Sequence, residues 1–202
     1  MKIQSITQKG EFIKFPLQKE RYDEQRIFFK ENYGKDLPFR HEIPFSYKQI
    51  FYVLTSHVEV EVTSDLYIDT FYFEPGFVWD IMSIPLPIRG KRPWWLLFLV
   101  KFPDNDDPRG YIPSACHDGL GAGRLLEEQI LEEGCSRPAP TKSAWKEGNE
   151  YFKKLCIFEG IKKVVANFLK LGVNTRSVGW KMYRDGRGYE YLVRCKMKRV
   201  VR

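Results

Sequence analysis

"QIFYVLTSHVEVEVTSDLYIDTFYFEPG", residues 49–76, decides the fold. Val58, Val60 and Val62 alternate with Glu59 and Glu61, the period of a strand with one face buried and the other wet. "TSD" at 63–65 supplies the small polar residues of a tight turn. "LYIDTFYFEPG" is rich in aromatic and β-branched residues and reads as a second strand. The two runs predict an antiparallel hairpin whose second strand delivers the chain into Gly76.

Upstream, the first twenty residues carry no strong period and predict a short strand or an arm. "LQKERYDEQRIFFKENYGKDLP" (17–38) predicts a short charged helix with Tyr22, Ile27 and Phe28 on its apolar side, stopped by Gly34 ahead of Pro38. Downstream, "PDNDDPRG" (103–110) is a surface loop. A helix is expected around Ser114 to Leu120, interrupted by glycines, with a second helical piece running to Glu133. "SAWKEGNEYFKKLCIFEGIKKVVANFLKLG" (143–172) is the strongest helical stretch. Ser143 is its candidate N-cap. Trp145, Tyr151, Phe152, Leu155 and Cys156 mark one apolar face; Ile161, Val164, Val165, Phe168 and Leu169 continue it beyond a break at Gly160. The end, "YEYLVRCKMKRVVR" (189–202), reads equally as a basic strand or a frayed helix. Strands first and helices after is an α+β pattern, N-terminal antiparallel strands packed against C-terminal helices. We expect one domain over 1–202 with a basic, solvated tail at about 190–202.

Composition narrows the function classes. Hydrophobic residues make up 43% of the 202 and aromatics 15%, which is globular and not disordered. A formal charge of +7 admits an anionic partner such as nucleic acid but supports it weakly, because lysine also serves solubility. The basic residues Arg194, Lys196, Lys198, Arg199 and Arg202 are the candidates for such a contact, against the simpler reading of a solvated terminus. Cys116, Cys135, Cys156 and Cys195 form no C-x-x-C pair, so a zinc ribbon is not supported. Neither a phosphate-binding glycine loop nor a dinucleotide fingerprint occurs. The opening residues lack the apolar core of a signal peptide. "WWLLFLV" (94–100) is too short to span a bilayer and reads as a core element.

Two stretches carry candidate chemistry. In "GFVWDIMSIPLP" (76–87), Asp80 and Ser83 sit among large apolar residues. In "SACHDGLGAG" (114–123), His117 and Asp118 are adjacent, and imidazole and carboxylate both bind divalent metals and tune one another's protonation. If these converge, Asp80, His117 and Asp118 form a metal or acid–base site, with Ser83 as a supporting donor. The competing reading makes Asp80 and Ser83 a turn cap, with His117 and Asp118 pinning that turn to the helices. Cys116 is a nucleophile on paper but reads as a small core residue. His57 reads as a strand residue and His41 as part of a turn.

Four segments in order, "EPGFVWDIMSIP" (74–85), "RPWWLLFLVKFP" (92–103), "RGYIPSACHDGL" (109–120) and "AWKEGNEYFKKL" (144–155), resemble the domain of unknown function 1353 family of bacteriophages and prophages. The resemblance covers about 70–183. It aligns Asp80, Ser83 and Pro85 with the first family motif, and His117 and Asp118 with the second. Three positions depart from the pattern: Trp79 stands for a Thr, Gly119 for an aromatic, and Asn149, with Glu150 beside it, for a later Asp. Asn149 and Glu150 are therefore candidate supporting residues, although Asn is a poorer ligand than Asp for a hard metal. The resemblance implies a phage setting, in the host cytoplasm or the virion. Two functions follow as expectations. One is a small hydrolase-like protein acting on a cell-wall peptide or glycan bond, with a divalent metal of unassigned identity. The other is a non-catalytic virion- or tail-associated protein bound to other phage structural proteins.

Overall fold

A computed structural model describes residues 1–37, 51–79, 107–121, 142–175 and 195–202. Asp80, Ser83, His41, Cys135, the WWLLFLV run and the helical piece expected up to Glu133 lie outside the described residues.

The hairpin forms where its alternation demands. β4 (Val58–Ser64) and β5 (Tyr67–Phe73) pair antiparallel, with Val58 opposite Phe73 and Val62 opposite Asp69. Val58, Val60 and Val62 are buried and Glu59 and Glu61 face outward. Ser64 closes the turn: its Oγ accepts from the backbone N–H groups of Leu66 and Tyr67 and donates to the Tyr67 carbonyl. A buried hydroxyl with three partners meets the requirement that buried polar groups be satisfied.

Two further strands flank the hairpin. β1 (Ile3–Lys9) pairs with β4, and β7 (Cys195–Val201) with β5, giving an antiparallel sheet of order β1-β4-β5-β7. The tail expected to be solvated is thus a strand. Its parity explains why: Cys195 and Met197 are buried while Lys198 and Val200 face solvent, the period of a half-buried strand. A second sheet orders β2 (Lys14–Leu17), β3 (Phe51–Leu54) and β6 (Val78–Trp79). Between β5 and β6, Gly76 turns at φ 91°, a conformation L side chains rarely adopt, and donates its N–H to the Leu54 carbonyl at 2.8 Å.

α1 (Tyr22–Tyr33) ends at Gly34 in the left-handed conformation, as predicted. Its buried side differs from the expected one. Tyr22 and Phe29, seven residues apart and two turns along one face, are buried, whereas Ile27 and Phe28 are exposed. α2 (Tyr111–Gly121) begins three residues earlier than expected. α3 (Lys142–Phe158) and α4 (Lys163–Thr175) are separated at Gly160, φ 85°. Ser143 lies inside the first turn of α3 and not at its cap. His57 sits in the loop before β4 and not in the strand.

The helices pack in sequence, α2 on α3 and α3 on α4, and α2 also meets β6 and β7. The architecture is α+β: antiparallel sheets built mainly from N-terminal strands, with C-terminal helices. One aromatic cluster joins the parts. Phe12 lies 5.9 Å from both Phe73 and Trp79 and 6.2 Å from Tyr111 of α2, and Phe77 stacks on Trp79 at 5.4 Å. Trp79, which the family resemblance sets in place of a Thr, is therefore a core residue.

Candidate functional site

α2 is set in place before it reaches His117. Asp107 caps the preceding 3-10 turn by accepting from the Arg109 N–H, and its carboxylate also pairs with the Arg109 guanidinium. Those contacts hold the Asp107 carboxyl below its ordinary range. Ser114 Oγ donates back to the Gly110 carbonyl, a common use of serine inside a helix. Ile112, Ala115 and Cys116 are buried in the core, which leaves His117 and Asp118 at its rim with side chains 21% and 18% exposed.

There His117 meets α3. Its Nε2 lies 2.9 Å from Oδ1 of Asn149, its Nδ1 lies 3.1 Å from Oδ1 of Asp118, and its ring packs 5.1 Å from Phe152. Both ring nitrogens thus face oxygens, but a neutral imidazole carries one N–H. Two arrangements satisfy the geometry. Either His117 is protonated and donates from both nitrogens, or the Asn149 amide is reversed so that its NH₂ donates to Nε2 while Nδ1–H donates to Asp118. In each, Asn149, itself buried, is held by the bond. The cluster links two helices across 32 residues of sequence.

The structure thus brings together three of the residues singled out by sequence: His117, Asp118 and Asn149. Glu150, expected beside them, is instead ion-paired with Lys153 at 2.9 Å and with Lys170 of α4. Successive positions on a helix point about 100° apart, so Asn149 and Glu150 cannot serve the same neighbour. Asp80 and Ser83 lie outside the described residues. Cys116 is buried, and burial, the largest effect, pushes its thiol well above the ordinary range, with Cys195 and Asp69 adding to the shift. That is a core cysteine and no nucleophile.

A metal was also expected here. Among the described residues no group of three or more His, Cys, Asp or Glu side chains is placed to hold one. His117 would have to release Asn149 or Asp118 to offer a nitrogen lone pair. The described part of the cluster therefore does not fit a metal unaided.

A second polar cluster was missed by sequence reasoning. Asp69, 1% exposed, accepts two bonds from the Arg199 guanidinium, at 2.7 and 3.0 Å. Arg199 also donates to Glu147 of α3 at 3.0 Å and stacks 4.3 Å from the Tyr67 ring. Burial works against the charge of Arg199, but Asp69 and Glu147 outweigh it and hold the group protonated. Tyr151 lies beside this pair; burial first, then Asp69, pushes its phenol well above the ordinary range. Its hydroxyl meets no hydrogen-bond partner of good geometry among the described residues. The signal was present: Asp69 shares strand parity with Phe71 and Phe73, and Arg199 shares it with Cys195 and Met197. Parity placed both charges on the core side, where only pairing is tolerated.

Compared with family models, curated proteins and solved structures, the chain finds no match.

Proposed function

We propose that this is a non-catalytic phage structural or assembly protein in which His117, Asp118 and Asn149 lock α2 to α3. The observation that carries the reading is the engagement of both imidazole nitrogens, one by an adjacent carboxylate and one by a buried amide. A general base needs a lone pair within reach of a substrate proton, and a ligand needs one aimed at the metal. Here each nitrogen is already engaged by a protein partner. The phage setting, virion or host cytoplasm, rests on the four-segment resemblance.

A hydrolase-like reading is favoured by one observation of its own: residues from two separate motifs converge at a partly exposed point. In that reading Asp80 joins His117 and Asp118 around a divalent metal or as an acid–base set, and the substrate is a cell-wall peptide or glycan bond. Metal content and melting temperature with and without chelator, for wild type, Asp80→Ala and His117→Ala, separate the two. The lock predicts no stoichiometric metal, no effect of chelator and a lower Tm for His117→Ala. Stoichiometric metal that both substitutions abolish, with a wild-type Tm that falls under chelator, would overturn it. Finding the protein in purified particles would support the structural role directly.

A further inference from the structure

An open groove of about 440 Å³ lies at the end of the β4–β5 hairpin, within the range of small-molecule clefts, about 300–1,000 Å³. None of its lining residues belongs to the His117 cluster. Its shape begins with Gly10, at φ 80°, which brings the β1–β2 turn against the β3–β4 loop so closely that a Cβ would sit 2.4 Å from the His57 carbonyl oxygen. The register then sets Lys9 opposite Glu59 and Glu59 opposite Tyr72 on the outer face of the sheet. Tyr72 is 40% exposed, whereas Tyr22, Tyr52 and Tyr151 are buried. Lys9 donates to Glu59 at 2.7 Å, and His57, Val58, Phe73 and Glu74 complete the lining.

Charge and shape together select a ligand class. Glu59 and Glu74 oppose an anion, and Lys9 opposes a simple cation. What remains favourable is a neutral molecule with one apolar face for the Tyr72 ring and several hydroxyls that both donate and accept. The ammonium of Lys9 and the imidazole of His57 supply donors, and the two carboxylates supply acceptors. A pyranose ring has that construction, its axial C–H bonds on one face and hydroxyls around its edge. We infer that this groove binds a neutral saccharide, with Tyr72 as the stacking platform and Glu59 and Lys9 reading the hydroxyls.

The test is titration of the isotopically labelled full chain with chitotriose, cellotriose and maltotriose, followed by backbone amide shifts. At least one triose should move the amides of Gly10, Glu59, Tyr72 and Glu74, with a Kd on the order of 1 mM. Tyr72→Thr, which keeps strand propensity, should weaken binding about tenfold, and Tyr72→Phe should keep it. Glu59→Gln supplies a second variant should Tyr72→Thr not fold, and should also weaken binding. No groove shift with any triose, or equal binding by Tyr72→Thr, overturns the inference. Groove shifts with tetramethylammonium but with none of the trioses overturn it too, and reassign the site to cations.

Discussion

Among the described residues, two polar clusters lie against the core, and they solve the same problem in opposite ways. Asp69 and Arg199 sit directly opposite one another on adjacent strands, β5 and β7, with full charges and bidentate geometry. His117, partly exposed, and Asn149, buried, meet across two helices through one bond. A deeply buried charge has no partner other than the one folding supplies, so the sheet pair is costly to break and weak evidence of function. The helix cluster joins a neutral amide to an imidazole that water reaches on one side, so its removal costs less and its role is open to chemistry. Asp69 and Asn149 are equally deep, each 1% exposed, so full charge and not depth separates the two clusters.

The largest effect is expected at the sheet pair. Arg199→Ala leaves the Asp69 carboxylate buried without its guanidinium and should cost about 3–5 kcal/mol in urea unfolding. The double replacement Asp69→Leu/Arg199→Met should recover most of that loss, because it removes both charges together. An Arg199→Ala variant as stable as wild type would show that water reaches Asp69 after all, and the contrast between a paired buried charge and a neutral bond would fail. The rim cluster comes next. Asn149→Ala removes a buried amide and strips His117 Nε2 of its partner, for about 1–3 kcal/mol, read by the same unfolding curve. Glu150→Ala, one residue along α3, breaks only ion pairs of partly exposed side chains and should cost less than about 1 kcal/mol. Equal losses for Asn149→Ala and Glu150→Ala would mean that the rim cluster contributes no more than surface charge.

What was legible in the sequence follows the same division. The hairpin 58–73 was readable because strand alternation survives any tertiary context, and Gly34, Gly76 and Gly160 marked real turns because their backbone angles exclude side chains. The strand at 195–201 was ambiguous because three of its seven residues, Lys196, Lys198 and Arg199, are charged and interrupt any apolar run; only parity with β5 in space reveals the buried side. On α1 the error was one of phase. "IFF" at 27–29 offers three apolar neighbours, and only Phe29 lies two turns from Tyr22. At the candidate site, adjacency announced His117 and Asp118, and the resemblance announced Asn149 and Glu150, but no local signal distinguishes which of the latter two faces His117. Helical phase relative to a second helix decides that, and it is a tertiary property.

The smallest expected effect concerns a third acid, Glu159, just beyond α3. Burial raises its carboxyl above the ordinary glutamate range, where Asp69 has a guanidinium in bidentate contact. A group whose folded pKa is raised stabilises the fold most below its unfolded pKa, about 4.3, and loses that contribution as pH rises through the folded value. The protonated acid and a glutamine are near-equals in size and polarity. Glu159→Gln should therefore match wild type in acid and exceed it above the raised pKa. Since Glu159 is only partly buried, the gain should stay under about 1 kcal/mol. Melting curves of both proteins across that pH window measure it. Parallel pH profiles would show that Glu159 finds a compensating cation, and that burial without a partner is not what sets it apart from Asp69.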